Sequence, residues 1–261
     1  MNDFLQIYLQ AAALIAVTVT ALWLLSLRLK NASIADVFWG SGFVMCCWLY
    51  FLQTPDGAPL RKWLVCALVT IWGLRLSIYI FSRNAGKPED YRYAKWREEN
   101  GNNWWWRSFF KVFLLQGFLM WLISAPLLAA QISATPAQLI WLDVLAAIIW
   151  LTGFFFETVG DWQLAKFKSQ PENRGKLMTS GVWRYTRHPN YFGDTAQWWG
   201  FFGFALAAGG WWSVFSPVLM TWLIVKISGV AMLESNLRET KPGFAEYVRR
   251  TNAFIPWFPK Q

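Results

Sequence analysis

The sequence predicts an all-α integral membrane protein, on the strength of an apolar composition, a series of long apolar runs and a one-sided distribution of cations. Of the 261 residues, 56% are hydrophobic and 15% are charged, and the mean hydropathy is +0.27. A water-soluble domain carries about a quarter charged residues. The 20 tryptophans exceed what a soluble core of this size accommodates, so the bilayer is the expected solvent.

Seven apolar runs follow one another along the chain. Each comes close to the roughly 20 residues with which a helix crosses a hydrocarbon core of about 30 Å. We therefore predict seven transmembrane helices in a single domain that spans residues 1–261. The predicted spans are residues 6–28, 34–53, 63–82, 108–131, 138–160, 194–210 and 212–233.

The cations predict the orientation of these spans. Of the 24 lysines and arginines, 20 fall on one side of the predicted membrane, whereas Arg61 and Lys62 fall on the other. Because cytoplasmic loops are enriched in Lys and Arg, we place the N-terminus outside and the C-terminus in the cytoplasm. This bias also accounts for the net charge of +9, so the charge does not indicate a nucleic-acid partner.

The scarcity of histidine and cysteine excludes several classes of site. His188 is the one histidine of the chain, so a two-histidine zinc site cannot form. The three cysteines lie inside apolar runs without C-x-x-C spacing, which excludes a disulfide framework and a thiolate metal site. We expect no metal.

Six ionisable residues lie within the predicted spans or within a turn of their cytoplasmic ends. Charges in the membrane interior are costly and usually face a cavity, a partner or a substrate. We infer a polar chamber that opens to the cytoplasm; an ion-pair cluster that ties helix ends together is the alternative. The six residues are Asp36, Arg75, Glu157, Asp161, Asp194 and Glu234.

Two basic cytoplasmic segments can supply further polar groups to this chamber. The first follows the third span and reads RNAGK at residues 83–87; the second precedes the sixth span and reads RHPNY at residues 187–191. Pro189 ends any preceding helix, and Asn190 can cap the next one. A nucleotide cofactor with several anionic groups would satisfy such residues. The chain has neither a G-x-G-x-x-G nor a Walker A sequence, so a Rossmann or P-loop site is excluded.

With these residues, the chain resembles the steroid 5-alpha-reductase-like membrane oxidoreductases, and most closely a bacterial branch of unknown function. The resemblance covers about residues 30–260 and rests on RHPNYFGD at residues 187–194, on Glu234 and on AFIPW at residues 253–257. It implies seven helices that enclose NADPH, with a cofactor-binding half at about residues 75–261. It also implies a multi-pass protein of a bacterial inner membrane whose cofactor site faces the cytoplasm.

Residues at matching positions of the family's pattern are expected to line the cofactor. They come from the third, fifth and sixth spans, the connecting segments and the C-terminal part of the chain. The resemblance assigns this role to Arg75, Arg83, Asn84, Lys87, Asp161, Lys168, Lys176, Arg187, His188, Asn190, Tyr191, Asp194, Glu234 and Arg250.

The resemblance implies a reductase that transfers a hydride from NADPH to a carbon–carbon double bond conjugated to a carbonyl. The substrate would be steroid-like or isoprenoid-like and would enter from the bilayer. Steroid reductases bind the substrate ketone through a Gln-Glu pair on the second span and a tyrosine on the third. Here Ala35-Asp36 and Trp72 stand at these places, so the predicted substrate site departs from that of the steroid reductases.

We therefore expect catalysis to depend on Asp36, with Tyr79 as a second donor. A desolvated carboxyl at position 36 would stay protonated and donate a hydrogen bond to the developing enolate. Hydrogen bonding of Asp36 to Asn31 or Ser33 at the start of the second span is the alternative role. The expected substrate pocket is lined by Phe38, Trp39, Phe43 and Trp72.

Two other functions stay open at this point. Isoprenylcysteine carboxyl methyltransferases of membranes share the R-H-P turn, a downstream Glu and a C-terminal proline motif, but they bind S-adenosylmethionine. That cofactor has no phosphate, so the basic segments favour NADPH. A lipid-binding or transport protein without enzymatic activity would scatter its charges through both halves of the membrane, whereas these charges cluster at one face.

Overall fold

The computed structural model describes residues 3–260, apart from the side chains at positions 228, 231, 232 and 236. This part of the chain contains helices and turns, without a β-strand. Two π-helical segments, Phe109–Leu114 and Leu223–Ser228, interrupt the α-helices. The α-helices are α1 (Asp3–Leu29), α2 (Ile34–Gln53), α3 (Pro59–Asn84), α4 (Tyr91–Asn100), α5 (Trp104–Ser108), α6 (Leu115–Ile123), α7 (Ala125–Ile132), α8 (Trp141–Ser169), α9 (Pro189–Ala207), α10 (Phe215–Trp222), α11 (Val230–Thr240) and α12 (Phe244–Arg250).

The all-helical prediction is confirmed for the described residues. Within them, five helical stretches are long and apolar enough to cross a membrane, namely α1, α2, α3, the stretch Tyr91–Ile132 and α8. At 1.5 Å per residue, even the 20-residue α2 reaches about 30 Å. These stretches correspond to the first five predicted spans, so the chain has the helices of a multi-pass membrane protein.

The last two predicted spans take a different form. The sixth, at residues 194–210, falls largely within the 19-residue α9. The seventh, at residues 212–233, is divided among a 3₁₀ turn, α10, a π-helical segment and the start of α11, and Trp211–Ile227 is a shorter apolar helical stretch. Seven spans and the orientation of the termini stay predictions.

The described chain forms two compact units. Of the described residues, unit 1 comprises residues 3–140 and 204–213, and unit 2 comprises residues 141–203 and 214–260. Residues 75–140 of the predicted cofactor-binding half belong to unit 1. The single domain over residues 1–261 stays a prediction.

In unit 1, α2 and α3 cross at two glycines. A Cβ atom on Gly40 would lie 2.3 Å from the carbonyl oxygen of Gly73, so no larger residue fits without moving a helix. Phe43 and Trp72 pack beside this crossing with ring centroids 5.8 Å apart, and both are fully buried. The crossing fixes the first half of α2, which carries Asp36.

In unit 2, α8 and α9 make a similar close approach. A Cβ atom on Gly153 would lie 2.5 Å from the carbonyl oxygen of Gly193, and one on Gly160 would lie 3.1 Å from Cγ of Pro189. This packing brings the buried Glu157 on α8 next to α9. The Gln197 amide donates to Oε2 of Glu157 at 2.6 Å.

Candidate functional site

The RHPNY turn in unit 2 is built around one carboxylate. Arg187 donates from Nε to Oε1 of Glu234 at 2.9 Å, and its Nη2 lies 2.8 Å from the same oxygen. Nε2 of His188 also lies 2.9 Å from that oxygen. Arg187 further donates to the carbonyl oxygens of Val248 and Thr251. The guanidinium is therefore held between α11 and the end of α12.

The protonation state of Glu234 follows from these contacts. Burial alone would raise the pKa of this carboxyl, but the hydrogen bonds from His188 and Arg187, together with the positive charges, lower it below the usual range. Glu234 is therefore a carboxylate at neutral pH. Arg187 is 8% exposed and His188 is 1% exposed, so the cluster is shielded from solvent.

The rest of the turn is anchored to neighbouring elements of unit 2. The ring of Tyr191 stacks on His188 with centroids 5.6 Å apart. Nδ2 of Asn190 donates to Oδ1 of Asp161 at 3.1 Å, and Oδ1 of Asn190 accepts from the backbone N–H of Tyr191. The turn thus connects α8 with the first turn of α9.

A cavity of about 820 Å³ lies beside Arg187 in unit 2. Its wall is formed by the end of α8, the following loop, Trp183, and residues of α11 and α12. The apolar wall includes Leu164, Phe167, Leu237 and Phe244. Among the lining residues that the structure describes, none is acidic and five are basic. The five cations are Lys168, Arg174, Lys176, Arg187 and Lys241.

Only some of the residues that were predicted to bind the cofactor line this cavity. Lys168, Lys176 and Arg187 line it, whereas Glu234 and His188 hold Arg187 in place. Sequence reasoning missed Arg174 and Lys241 as site residues, because their charge was counted only toward membrane orientation.

Other predicted residues of unit 2 lie outside the described cavity lining. Asp161 and Asn190 contact each other, and Asp194 lies one turn further along α9. Nε of Arg250 lies 2.6 Å from Oε1 of Glu246, and the Arg250 side chain is 68% exposed. The part of Arg250 in cofactor binding stays a prediction.

The predicted residues of unit 1 gather at the end of α3. The guanidinium of Arg83 lies 6.0 Å from the ring centroid of Tyr79, and Nε of Arg83 donates to Oδ1 of Asn84 at 3.2 Å. Lys87 donates to the carbonyl oxygen of Arg83, while Arg75 is half-buried two turns earlier. Their contact with a cofactor stays a prediction, as does a catalytic role for Tyr79.

Asp36 in unit 1 belongs to a polar cluster that the sequence did not reveal. Its Oδ2 accepts from Nη2 of Arg92 at 2.9 Å. Its Oδ1 accepts from the hydroxyl of Tyr93 at 2.5 Å and from Nε2 of Gln116 at 3.1 Å. Nε2 of Gln116 also lies 3.1 Å from the Tyr93 hydroxyl. We call Asp36, Arg92, Tyr93 and Gln116 the Asp36 cluster.

These contacts differ from both roles expected of Asp36. In the structure the Asp36 carboxyl accepts from Arg92, Tyr93 and Gln116, whereas we expected it to donate to the substrate. Nor does it cap the helix start, since Ser33 instead donates its N–H to Oδ1 of Asn31 and accepts from the N–H of Asp90. The reason is the segment after α3, which brings Arg92 and Tyr93 to the carboxyl.

Asp90 positions that segment. Its carboxyl caps α4 by accepting from the N–H of Arg92 at 3.0 Å and from Nε of Arg92 at 2.9 Å. Burial would raise the pKa of Asp90, but the hydrogen bonds and the charge of Arg92 lower it below the usual range. Glu89 accepts from the N–H of Ala32 at 2.6 Å, which ties the segment to the start of α2.

A small cavity of about 10 Å³ adjoins the Asp36 cluster at Gln116. This volume is close to the minimum for one water molecule. Phe38, Phe113 and Met120 line it, and a substrate pocket at Phe38 stays a prediction. The predicted residues Trp39, Phe43 and Trp72 instead form a packed aromatic row.

Comparisons with known proteins identify relatives but no activity. The model of a family described as "Protein of unknown function (DUF1295)" matches residues 22–251. The uncharacterized protein C594.04c of Schizosaccharomyces pombe is 24% identical over 269 aligned residues, which cover 90% of this chain and 75% of the relative. No solved structure matches the chain significantly.

Proposed function

We propose that this chain, which belongs to the DUF1295 family, is an NADPH-dependent membrane reductase. It would reduce a carbon–carbon double bond conjugated to a carbonyl in a lipophilic, steroid-like or isoprenoid-like substrate from the bilayer. The observation that carries the proposal is the cavity of unit 2, whose described lining holds five cations and no acid.

The cavity suits NADPH in charge, volume and surface. A pyrophosphate and a 2′-phosphate require several Arg or Lys contacts, because charge-assisted hydrogen bonds are the strong ones in phosphate recognition. The volume of about 820 Å³ lies within the range of about 300–1,000 Å³ that is typical of cofactor sites. The aromatic side chains of Phe167, Trp183 and Phe244 offer flat apolar surfaces for the bases.

The same charges disfavour S-adenosylmethionine. Its sulfonium is a cation without a phosphate, and a lining of five cations would repel it. An anionic lipid would satisfy both the cations and the apolar wall, so the non-enzymatic lipid-binding alternative must be tested directly.

We assign distinct roles to the residues of unit 2. Glu234 and the carbonyl oxygens of Val248 and Thr251 fix the guanidinium of Arg187. These contacts engage Nε, Nη1 and Nη2 of Arg187 and pair its charge with Glu234, so Arg187 would offer a phosphate only its remaining Nη2 proton. Lys168 at the end of α8 and Lys176 in the following loop would supply the main phosphate contacts. When bound, NADPH would supply the hydride.

We assign to the Asp36 cluster the hydrogen bonding of the substrate carbonyl oxygen. The cluster's candidate donors are the Tyr93 hydroxyl and the Gln116 amide, both of which donate to the Asp36 carboxyl, so a substrate carbonyl would have to replace Asp36 as the acceptor of one of these hydrogen bonds. A hydrogen bond from such a donor stabilises the negative charge that develops on a carbonyl oxygen during hydride addition. Asp36 is in this view a positioning residue, and Tyr93 takes the role that we expected of Tyr79.

Lysine substitutions on α8 and the following loop test the cofactor assignment. We expect Lys168→Ala and Lys176→Ala each to weaken NADPH binding by about tenfold, the effect of losing about 1.4 kcal/mol of a charge-assisted contact. Lys166→Ala is the matched control, because Lys166 lies 5.3 Å from the ring of Trp162 and outside the described cavity lining.

The readout is titration of the purified protein with NADPH, S-adenosylmethionine and phosphatidylglycerol in separate experiments. Selective loss of NADPH affinity in the two lining variants supports the proposal. Equal affinity in all three variants, or tighter binding of either other ligand, would contradict it.

A further inference from the structure

The C-terminal segment at residues 252–260 presents large apolar side chains outside any helix. Ile255, Trp257 and Phe258 are 67%, 67% and 73% exposed, respectively. The segment lies beyond residues 22–251, the part of the chain that the family model matches. Exposed apolar residues on the long helices suit a lipid-facing surface, but these three residues belong to an irregular segment and need a separate explanation.

The segment is held in place although its side chains are exposed. Thr186 donates its hydroxyl to the carbonyl oxygen of Phe254 at 2.8 Å, and the N–H of Trp257 donates to the carbonyl oxygen of Tyr185 at 2.9 Å. The N–H of Arg187 donates to the carbonyl oxygen of Asn252 at 2.9 Å. The exposed residues are therefore presented on a fixed backbone.

The anchor points lie next to the start of α9. The ring of Phe254 lies 6.1 Å from that of Phe192, in the first turn of α9, and the ring of Phe258 lies 6.1 Å from that of Tyr185. If α9 is the sixth span in the predicted orientation, it begins on the cytoplasmic side, and the segment then lies at the level of that membrane interface.

Cations flank the exposed apolar residues. Arg184, Arg249, Arg250 and Lys260 are exposed, and among them Arg249 and Arg250 share the single carboxylate of Glu246. Trp and Phe at the headgroup level, combined with Lys and Arg, are the side chains with which interfacial segments bind anionic leaflets.

We propose that residues Ile255, Trp257 and Phe258 insert into the headgroup region of the anionic cytoplasmic leaflet. The membrane surface is then the partner of this segment, and the flanking cations contact its acidic lipids. Through the hydrogen bonds to Tyr185, Thr186 and Arg187, this insertion would brace the turn that carries Arg187. The proposal does not depend on the identity of the cofactor.

Spin labels measure the insertion directly. We would introduce Trp257→Cys or Phe258→Cys, label the full-length protein with a nitroxide, and reconstitute it in nanodiscs that contain phosphatidylglycerol. The native Cys46, Cys47 and Cys66 are fully buried, so labelling is directed to the new site. Glu172→Cys, in the exposed turn Pro171–Asn173, is the control.

We expect labels at 257 and 258 at a depth of about 5–10 Å into the headgroup and acyl boundary, whereas the label at 172 contacts water. Replacing phosphatidylglycerol by phosphatidylcholine should move the two labels outward. Water-like accessibility at 257 and 258 would overturn the proposal, as would a depth that does not respond to lipid charge. Dipolar broadening that disappears on dilution with unlabelled protein would assign the surface to a second copy of the chain instead.

Discussion

The two units differ in how their charged side chains are arranged. In unit 1, the Asp36 carboxylate accepts from Arg92, Tyr93 and Gln116, and the adjoining cavity has room for about one water. In unit 2, five cations line a cavity of about 820 Å³ without an acidic residue in the described lining. A satisfied cluster fixes geometry, whereas a large cavity with one sign of charge fits a ligand of the opposite sign.

The largest expected effect concerns the stability that the contacts between Glu234 and Arg187 give to unit 2. Glu234→Gln removes the carboxylate that faces Arg187 and His188, and breaking a buried ion pair typically costs about 3–5 kcal/mol. Thermal unfolding in detergent should therefore shift to markedly lower temperature. The control Glu246→Gln removes an exposed partner of Arg249 and Arg250 and should cost about 0–1 kcal/mol.

A similar small shift in both variants would mean that Glu234 does not stabilise the turn. Arg187 would then not be held in a fixed position by Glu234.

The next effect tests whether unit 1 acts on the substrate. Tyr93→Phe should leave NADPH affinity unchanged but slow hydride transfer by about 10²-fold or more, the scale of losing one oxyanion donor. Asp36→Asn, which removes the carboxyl that positions Tyr93, should slow hydride transfer in the same direction, whereas Tyr91→Phe, two residues earlier and 62% exposed, is the matched control for Tyr93→Phe. The measurement is single-turnover oxidation of bound NADPH with a lipophilic enone.

Tyr79→Phe should be measured together with these variants. The sequence predicts Tyr79 as a hydrogen-bond donor to the substrate, whereas the Asp36 cluster favours Tyr93 for that role. A larger loss in Tyr79→Phe than in Tyr93→Phe would restore the original assignment. A rate within about threefold of the parent for Asp36→Asn would remove the cluster from the mechanism.

The smallest expected effect is a pH dependence shared by both units. The pKa values of Asp90 and Glu234 are lowered in the folded protein, so their contribution to stability is present above the ordinary values of about 4. It is lost as the pH falls through the lowered values. Unfolding temperatures measured from pH 6 to pH 3 should fall less steeply in Asp90→Asn and Glu234→Gln than in the parent; parallel curves would contradict this assignment.

The helices could be predicted because their signals are local. Residues 34–53 were predicted and observed as α2, since an apolar run ends at polar residues on both sides. The seventh predicted span, residues 212–233, differs in form from one continuous helix, because the backbone leaves the helical region at Gly229, with φ −108° and ψ −98°. Arg61 and Lys62, expected in an outer loop, are buried in the first turn of α3.

The candidate sites could be predicted only where a motif linked distant residues. Arg187 and Glu234 are 47 positions apart, and the resemblance grouped them. Asp36 and Gln116 are 80 positions apart, and nothing in the local pattern pairs them. A glutamine inside an apolar run was nevertheless a usable signal, because polar groups in a span usually have a partner.

The most direct test of the central claim is mass spectrometry of small molecules released when the purified protein is denatured. We expect NADP⁺ or NADPH from the parent protein, less of it from a Lys168→Ala, Lys176→Ala double variant, and an unchanged amount from Lys166→Ala. Release of S-adenosyl compounds or of an anionic lipid in place of the nucleotide would contradict that claim.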